Sequence, residues 1–278
     1  MSAPSIAQAL NQARTQGLDR VDAFALLGHV LQRERAWLIT HDDQALTPAA
    51  ATHFEQLCAR RLLGEPVAYL VGEREFHGLR LAVSPAVLVP RPDTETLVDW
   101  ALELLAASDA PPSPRVLDLG TGSGAIALAV RQACPHCHMM AVDLSPAALA
   151  QARANGERLG LPVNWLQGAW WQPVAGQRFD LVLSNPPYIA EGDPHLDALQ
   201  HEPRMALTSG PDGLDDLRRI VAQATAHLQP GGHLLLEHGW DQAPAVQKLL
   251  AEAGLEGITS RADLSGQWRC TGGTQTKG

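Results

Sequence analysis

The stretch Arg115-Val116-Leu117-Asp118-Leu119-Gly120-Thr121-Gly122-Ser123-Gly124-Ala125-Ile126 decides the fold. An apolar run of strand length gives way to three glycines in five positions, and an apolar run at helical spacing follows. Glycine recurs where backbone turns sharply and must come close to a ligand. Strand, glycine loop and helix in that order therefore predict the first crossover of a doubly wound α/β sheet, with a nucleotide-type cofactor at the loop. The same letters satisfy Gly-x-Gly-x-x-Ala through Gly120, Gly122 and Ala125, so the loop by itself does not separate a dinucleotide from S-adenosylmethionine.

Downstream, strand-sized apolar runs at 139–143, 163–167, 179–184 and 233–237 alternate with amphipathic helices, which argues a mostly parallel sheet. Asp143 ends the second strand, counting the one before the glycine loop as the first, where an acid can accept hydrogen bonds from both ribose hydroxyls; the competing reading is a cap for the helix starting near Ser145-Pro146. Trp170 and Trp171 follow the third strand at the carboxyl edge, placing one of them to flank an adenine or to pack the rim. The Gly/Thr-rich stretch after Cys270 reads as a fraying tail.

Asn185-Pro186-Pro187-Tyr188 follows the fourth strand, at the same edge as the glycine loop. Pro186 and Pro187 lack N–H groups and disfavour helical geometry before them, so the segment stays extended and outside the ladder. The Asn185 side-chain oxygen and the Pro186 carbonyl can then accept both N–H bonds of a planar amide or exocyclic amine. Such acceptors favour positive charge developing on nitrogen during transfer, and Tyr188 offers a flat face to the planar group. The bland alternative is a Pro-Pro turn. Paired with Gly120, Thr121, Gly122, Ser123 and Gly124 at this spacing, the segment points to methyl transfer onto such a nitrogen from S-adenosylmethionine.

Upstream, apolar residues recur at helical spacing from Ser5 to Gly64, with cap signals at Asp19 and Thr47-Pro48 and a stop at Gly64-Glu65-Pro66. Alternation between Val67 and Val89 reads as a hairpin linker turning at Phe76-His77-Gly78-Leu79, and a helix runs on from Asp93. The expected organisation is a helical domain over 1–74, a hairpin over 75–90 and a catalytic domain over 91–278. Arg91, Thr94 and Glu95 read as a helix start with an ion pair, or as residues at the mouth of the site.

The 278 residues carry 21 Lys plus Arg against 30 Asp plus Glu, a net charge of -9. That balance disfavours stable binding to a nucleic-acid backbone and favours a protein substrate. No apolar run reaches membrane-span length and the first stretch does not read as a signal peptide, so a cytoplasmic protein is expected. Cys134-Pro135-His136-Cys137-His138 has haem-attachment spacing, yet it falls between a helix and a strand at the sheet end away from the ligand edge and reads as a surface turn. No metal is expected. His233, Glu237 and His238 read as core residues without chemistry.

The glycine loop and Asn-Pro-Pro-Tyr together resemble the amino-methyltransferases, and flanking segments narrow the likeness. Gly64-Glu65-Pro66, Val89-Pro90-Arg91-Pro92-Asp93-Thr94-Glu95, Val142-Asp143-Leu144-Ser145, Glu202-Pro203, Asp212-Gly213-Leu214 and Glu237-His238-Gly239 are similar to those of the release factor glutamine methyltransferases, the PrmC/HemK family. The resemblance implies a Rossmann-like class I S-adenosylmethionine-dependent methyltransferase sheet with a small N-terminal helical domain. It implies methylation of the glutamine in the Gly-Gly-Gln motif of class I peptide chain release factors, with the helices docking the factor. It also implies that Gly120, Thr121, Gly122, Ser123, Gly124, Asp143, Trp171 and Asn185 contact the methyl donor while Asn185, Pro186, Pro187 and Tyr188 hold the glutamine. Two other substrates share these motifs, a ribosomal-protein glutamine and an adenine amine.

Overall fold

The computed structural model describes residues 3–277. Its contacts divide the chain into two compact units, the first ending at Glu73 and the second beginning at Arg74.

The first unit is helical: α1 (Ile6–Thr15), α2 (Arg20–Leu31), α3 (Arg35–Thr40), α4 (Pro48–Leu62) and α5 (Val67–Val71). The helices start where side chains can satisfy their free N–H groups. Ser5 and Gln8 form a reciprocal capping box, Asp19 accepts from the Val21 N–H, and Thr47 caps α4 ahead of Pro48. The apolar stripes meet in a core of Ile6, Leu26, Leu27, Leu38, Phe54 and Leu57. The strand expected from Val67 is instead the short helix α5, which ends at Gly72 with φ +80°. A five-residue apolar run carries no periodicity to separate the two.

The second unit opens one residue into a hairpin, β1 (Glu73–Phe76) and β2 (Leu79–Ala82). His77 and Gly78, at φ 48° and 78°, make its two-residue turn, a geometry that needs positive φ at both central positions. After α6 (Glu95–Leu105) come β3 (Arg115–Leu119), α7 (Ala125–Ala133), β4 (His138–Asp143), α8 (Pro146–Leu159), β5 (Asn164–Gln167) and β6 (Phe179–Ser184). Then follow α9 (Asp215–Val221), α10 (Ala224–His227), β7 (Leu228–Glu237), α11 (Ala243–Glu252), β8 (Glu256–Ala262) and β9 (Trp268–Thr274).

Seven strands form one sheet in the order β5-β4-β3-β6-β7-β9-β8. All neighbours from β5 to β7 pair parallel, and β9 runs antiparallel to both β7 and β8. Alternation along β3 splits the core: Val116 joins α6, α7 and the hairpin on one face, while Leu117 and Leu119 join α9 and α11 on the other. From β3 the chain first winds to β4 and β5 and then returns to β6 on the opposite side. The crevice beyond the ends of β3 and β6 is therefore the switch point where such sheets bind ligands.

The expected fraying tail is corrected by β9. Cys270, Thr271, Gly272 and Gly273 are buried inside the sheet, and a Cβ on Gly272 would lie 2.4 Å from the Leu235 side chain and 2.9 Å from the Trp100 ring. Glycine stands there because α6 and β7 press on the strand. Cys134 and Cys137 also differ from expectation, since both thiols are buried although the turn between them is exposed, and burial pushes Cys137 up to about 11.

Candidate functional site

The carboxyl ends of β3, β4 and β6 deliver the glycine loop, Asp143 and Asn185 to one cavity of about 570 Å³. The loop is held by its backbone. Gly120 and Thr121 both donate to the Val142 carbonyl, at 2.8 and 3.0 Å, and Gly124 donates back to Thr121 at 2.9 Å. Gly120, Gly122 and Gly124 sit at φ +76°, +56° and +84°, in the left-handed region that glycine alone enters without penalty. A Cβ on Gly120 would stand 3.3 Å from the Trp170 ring, so the bare backbone leaves a cradle that a side chain would fill.

Asp143 has two jobs in this geometry. One carboxyl oxygen accepts from the Gly122 N–H and the other from the Ser145 N–H, both at 2.8 Å, while the Ser145 hydroxyl caps α8 through the Ala148 N–H at 3.2 Å. Burial raises the Asp143 pKa against the pull of those N–H groups. Beneath the loop lies Asp118, fully buried, accepting from the Thr121 hydroxyl at 2.6 Å. Its Oδ1 has no partner among the described residues, and burial lifts it to about 7.

Trp170 lines the cavity with its backbone at φ 47°. The expectation for Trp171 is corrected: it is 2% exposed, its indole N–H donates to the Ile220 carbonyl at 3.0 Å, and its ring stacks on His227 at 4.6 Å. Of two adjacent aromatics, the one with the positive φ turns to the cavity and its neighbour becomes core.

Asn185 and Pro187 line the cavity beside Thr121 and Ser123. Just before them the Ser184 hydroxyl donates to the Leu119 carbonyl at 2.6 Å, closing β6 onto β3 where the ladder stops. Tyr188 turns the other way. Its hydroxyl donates to Glu237 at 3.3 Å and its carbonyl accepts from Gln242 at 3.0 Å, and burial together with Glu237 holds the phenol well above its ordinary pKa. Cavity-facing contact from the Tyr188 ring, expected from sequence, is therefore not present in this geometry.

Residues 91–95 supply the remaining wall through Arg91 and Thr94. Arg91 pairs with the buried Glu202, whose second oxygen accepts from the Val89 N–H at 3.0 Å. Asp93 pairs with Arg269 at 3.3 Å, Thr94 accepts from the Asn185 amide at 3.2 Å, and Glu95 accepts from the His77 N–H at 3.1 Å. The stretch both starts a helix and walls the cavity, a 3-10 turn (Pro92–Thr94) leading into α6. Glu202 was visible only as part of a flanking segment, and Glu237 only as a strand end.

His238 has both ring nitrogens engaged, one with the Gly239 carbonyl at 2.8 Å and the other with Thr271 at 2.7 Å, and burial lowers its pKa. Among the described residues no group of three or more His, Cys, Asp or Glu is arranged to hold a metal ion, and no helix is long and apolar enough to cross a membrane.

Comparison with known proteins follows the same division. Residues 5–72 match the PrmC N-terminal domain family and residues 94–250 the methyltransferase small domain family. A release factor glutamine methyltransferase of Bordetella pertussis is 53% identical over 260 residues, 92% of this chain and 95% of that one. One of Escherichia coli is 42% identical, covering 95% of each. Among solved structures, a Thermus thermophilus 16S rRNA N2 G1207 methyltransferase in complex with AdoMet and guanosine aligns with a TM-score of 0.55 at 19% identity, over 73% of this chain and 49% of that one. A Pyrococcus furiosus methyltransferase aligns at 0.54 and 21% identity, over 78% and 97%. These two likenesses concern the fold.

Proposed function

The chain belongs to the release factor glutamine methyltransferase family, and from that premise we propose how its cavity performs the reaction. The protein is a protein-glutamine methyltransferase that uses S-adenosylmethionine and acts on release factors, as the name release factor glutamine methyltransferase says of its relatives, and its substrates are the class I peptide chain release factors. The target is the glutamine of their Gly-Gly-Gln motif. One observation carries the reading: the glycine loop and Asn185 border a single cavity at the switch point of the sheet.

The cradle fits the methyl donor. The absence of side chains at Gly120 and Gly122 admits a ligand against backbone, with Thr121 and Ser123 on the same wall, whereas a Cβ on Gly124 would press on Leu128, Trp165 and Ala152 in the core; a cavity of about 570 Å³ suits a cofactor of that size. Asp143 offers carboxyl lone pairs to ribose hydroxyls and Trp170, in place of the expected Trp171, a face to adenine. Bound there, the donor supplies an electrophilic methyl group on a positively charged sulfur.

The protein's own part is to hold the nucleophile. Asn185 Oδ1 and the Pro186 carbonyl accept the two N–H bonds of the glutamine amide, with Pro187 and Tyr188 keeping the segment extended and anchored. Those acceptors favour the positive charge that develops on nitrogen as its lone pair leaves conjugation. Fixing the nitrogen in the cavity supplies the rest of the rate gain. The surplus proton on nitrogen becomes strongly acidic only as the new N–C bond forms and then passes to water, so no strong base at the nitrogen is required.

The helical unit, expected over 1–74, contributes the docking surface for the release factor. The acidic balance of the chain supports a protein substrate and no stable nucleic-acid complex, and a release factor as substrate places the reaction in the cytoplasm, where translation ends. The test is incubation with labelled S-adenosylmethionine and a class I release factor, followed by peptide mapping. Label on the Gly-Gly-Gln glutamine is expected, and Asn185→Ala is expected to lose roughly a hundredfold or more in turnover while keeping most cofactor affinity. Label elsewhere, or undiminished turnover in that variant, overturns the assignment.

A further inference from the structure

The helical unit holds a second cavity, of about 310 Å³, that the transfer reaction does not use. It opens among α1, α2 and α3. Leu10, Ala23, Phe24, Leu38 and Ile39 give it an apolar lining, and Arg14 and Arg20 stand among its polar groups. Ile39 is 52% exposed, a large apolar side chain left against water.

Charge around this cavity is arranged unlike that of the rest of the unit. Residues 1–73 carry six arginines against eight acidic residues, so the unit as a whole is not basic. Arg60 and Arg61 pair with Glu65 and Asp22, at 2.5 and 2.7 Å. Arg14, Arg20, Arg33 and Arg35 make no ion pair among the described residues. Arg14 reaches only the Asn11 amide oxygen, at 3.3 Å. The others are laid on aromatic rings: Arg20 at 5.6 Å and Arg35 at 5.2 Å from the centre of Phe24, and Arg33 at 5.2 Å from that of Trp37. Asp42 is the one acid in the lining, and it neutralises none of them.

A guanidinium on a ring is held through its face, and its N–H donors spread outward in the plane, where a carboxylate can take two at once. Two such cations on one ring also repel each other, a repulsion that an arriving anion relieves. An apolar floor beside fixed, unpaired guanidiniums therefore selects an acidic protein segment that carries an apolar side chain. A nucleic-acid backbone fits poorly, because the eight acids of the unit repel a long polyanion.

Resting on the reading of the chain as a release-factor methyltransferase, we propose that this cavity docks an acidic segment of the release factor, distinct from its Gly-Gly-Gln tip. An apolar side chain of that segment sits on Phe24 and Ile39, and its carboxylates meet Arg14, Arg20 and Arg35. The contact sets affinity for the substrate and leaves the transfer step to the other unit.

The test uses the full-length enzyme with a release factor, reading KM, turnover at saturation and the cofactor dissociation constant. Reversing the three arginines together, Arg14→Glu with Arg20→Glu and Arg35→Glu, should raise KM about thirtyfold, with turnover and cofactor affinity within about threefold. Added salt should raise the parent's KM and leave the variant's almost unmoved, since the attraction it screens is already gone. Ile39→Ser should raise KM about fivefold through lost apolar contact. Arg60→Glu makes the same charge change at a paired arginine of the same unit and should leave KM within about threefold. If the triple reversal does not fold, Arg20→Gln with Arg35→Gln carries the test, with KM up about fivefold. Unchanged KM in the reversed variant, an equal rise in Arg60→Glu, or a loss confined to turnover overturns the proposal while the methyltransferase reading stands. So does an RNA oligonucleotide that the parent binds and the reversed variant does not, with KM unmoved. No label on the release factor from the parent enzyme overturns that reading and this one with it.

Discussion

The glycine loop, through Gly120 to Ser123, and residues 91–95, through Arg91 and Thr94, border the same cavity and are kept in place by opposite means. The glycine loop is shaped by missing side chains and by its own N–H groups, which bond to Val142 and Asp143 on the adjacent strand. The other stretch is shaped by side chains that each reach a different element: Arg91 to Glu202, Asp93 to Arg269, Thr94 to Asn185 and Glu95 to His77. Three of those partners lie 111, 91 and 18 positions away in the chain. The loop makes room for a ligand. The clamped stretch aligns the groups that act on it.

The difference predicts opposite phenotypes, and the largest comes from the loop. Gly120→Val places a β-branched residue at φ +76° against the Trp170 ring, costing about 1–2 kcal/mol in backbone strain. It also obstructs the cradle, and cofactor affinity should fall at least a hundredfold, so that the combined loss is about 4 kcal/mol. Calorimetric titration with S-adenosylmethionine beside a denaturant melt separates the two parts. Retained affinity would mean that the loop does not meet the ligand through bare backbone, and the contrast with 91–95 would collapse.

A second prediction joins the regions instead of separating them. Each rests on a buried carboxyl with one oxygen lacking a partner among the described residues, Asp118 under the loop and Glu237 under the clamp. Burial is the main cause that lifts each to about 7. A folded pKa above the unfolded one means that the folded state holds the proton more tightly. Stability from each group is then complete below about pH 4 and is lost as pH rises through about 7. In the apoprotein, Asp118→Asn and Glu237→Gln should each gain on the parent by about 2–3 kcal/mol between those limits, read as urea midpoints at pH 4.5 and 8. A parallel pH dependence in parent and variant would remove the buried acid from that half of the comparison.

The same contrast explains what the sequence made legible. A glycine loop, the Asn185 to Tyr188 segment and the parallel strands are local patterns, carried by neighbours in the chain, and they stand where their periodicity put them. The clamp could not be read that way. Asp-Thr-Glu after proline is an ordinary helix start, and nothing local marks Thr94 as the partner of a residue 91 positions on. The choice between Trp170 and Trp171 turned on one positive φ, invisible in a pair of identical letters. Strand β9 was hidden because its two glycines mimic a loose tail, whereas the need for Gly272 comes from Trp100 and Leu235, and Gly273 packs under Leu255 and Ile258.

The smallest prediction separates clamp from helix start at a single residue. Glu95 stands in the first turn of α6, where a negative charge gains about 0.3–1 kcal/mol from the helix dipole, and its Oε1 also accepts from the His77 N–H at the tip of the hairpin. Glu95→Gln removes the charge and keeps an acceptor; Glu95→Ala removes both. If Glu95 only begins a helix, the two variants melt together. If it also pins the hairpin turn, Glu95→Ala should lose about 1 kcal/mol more than Glu95→Gln, about 2–4 °C in the melting midpoint of a unit this size. A pinned turn with both central residues at positive φ should also show in hydrogen exchange, since the His77 amide loses its acceptor only in the alanine variant, and faster exchange there alone would assign the difference to that one bond.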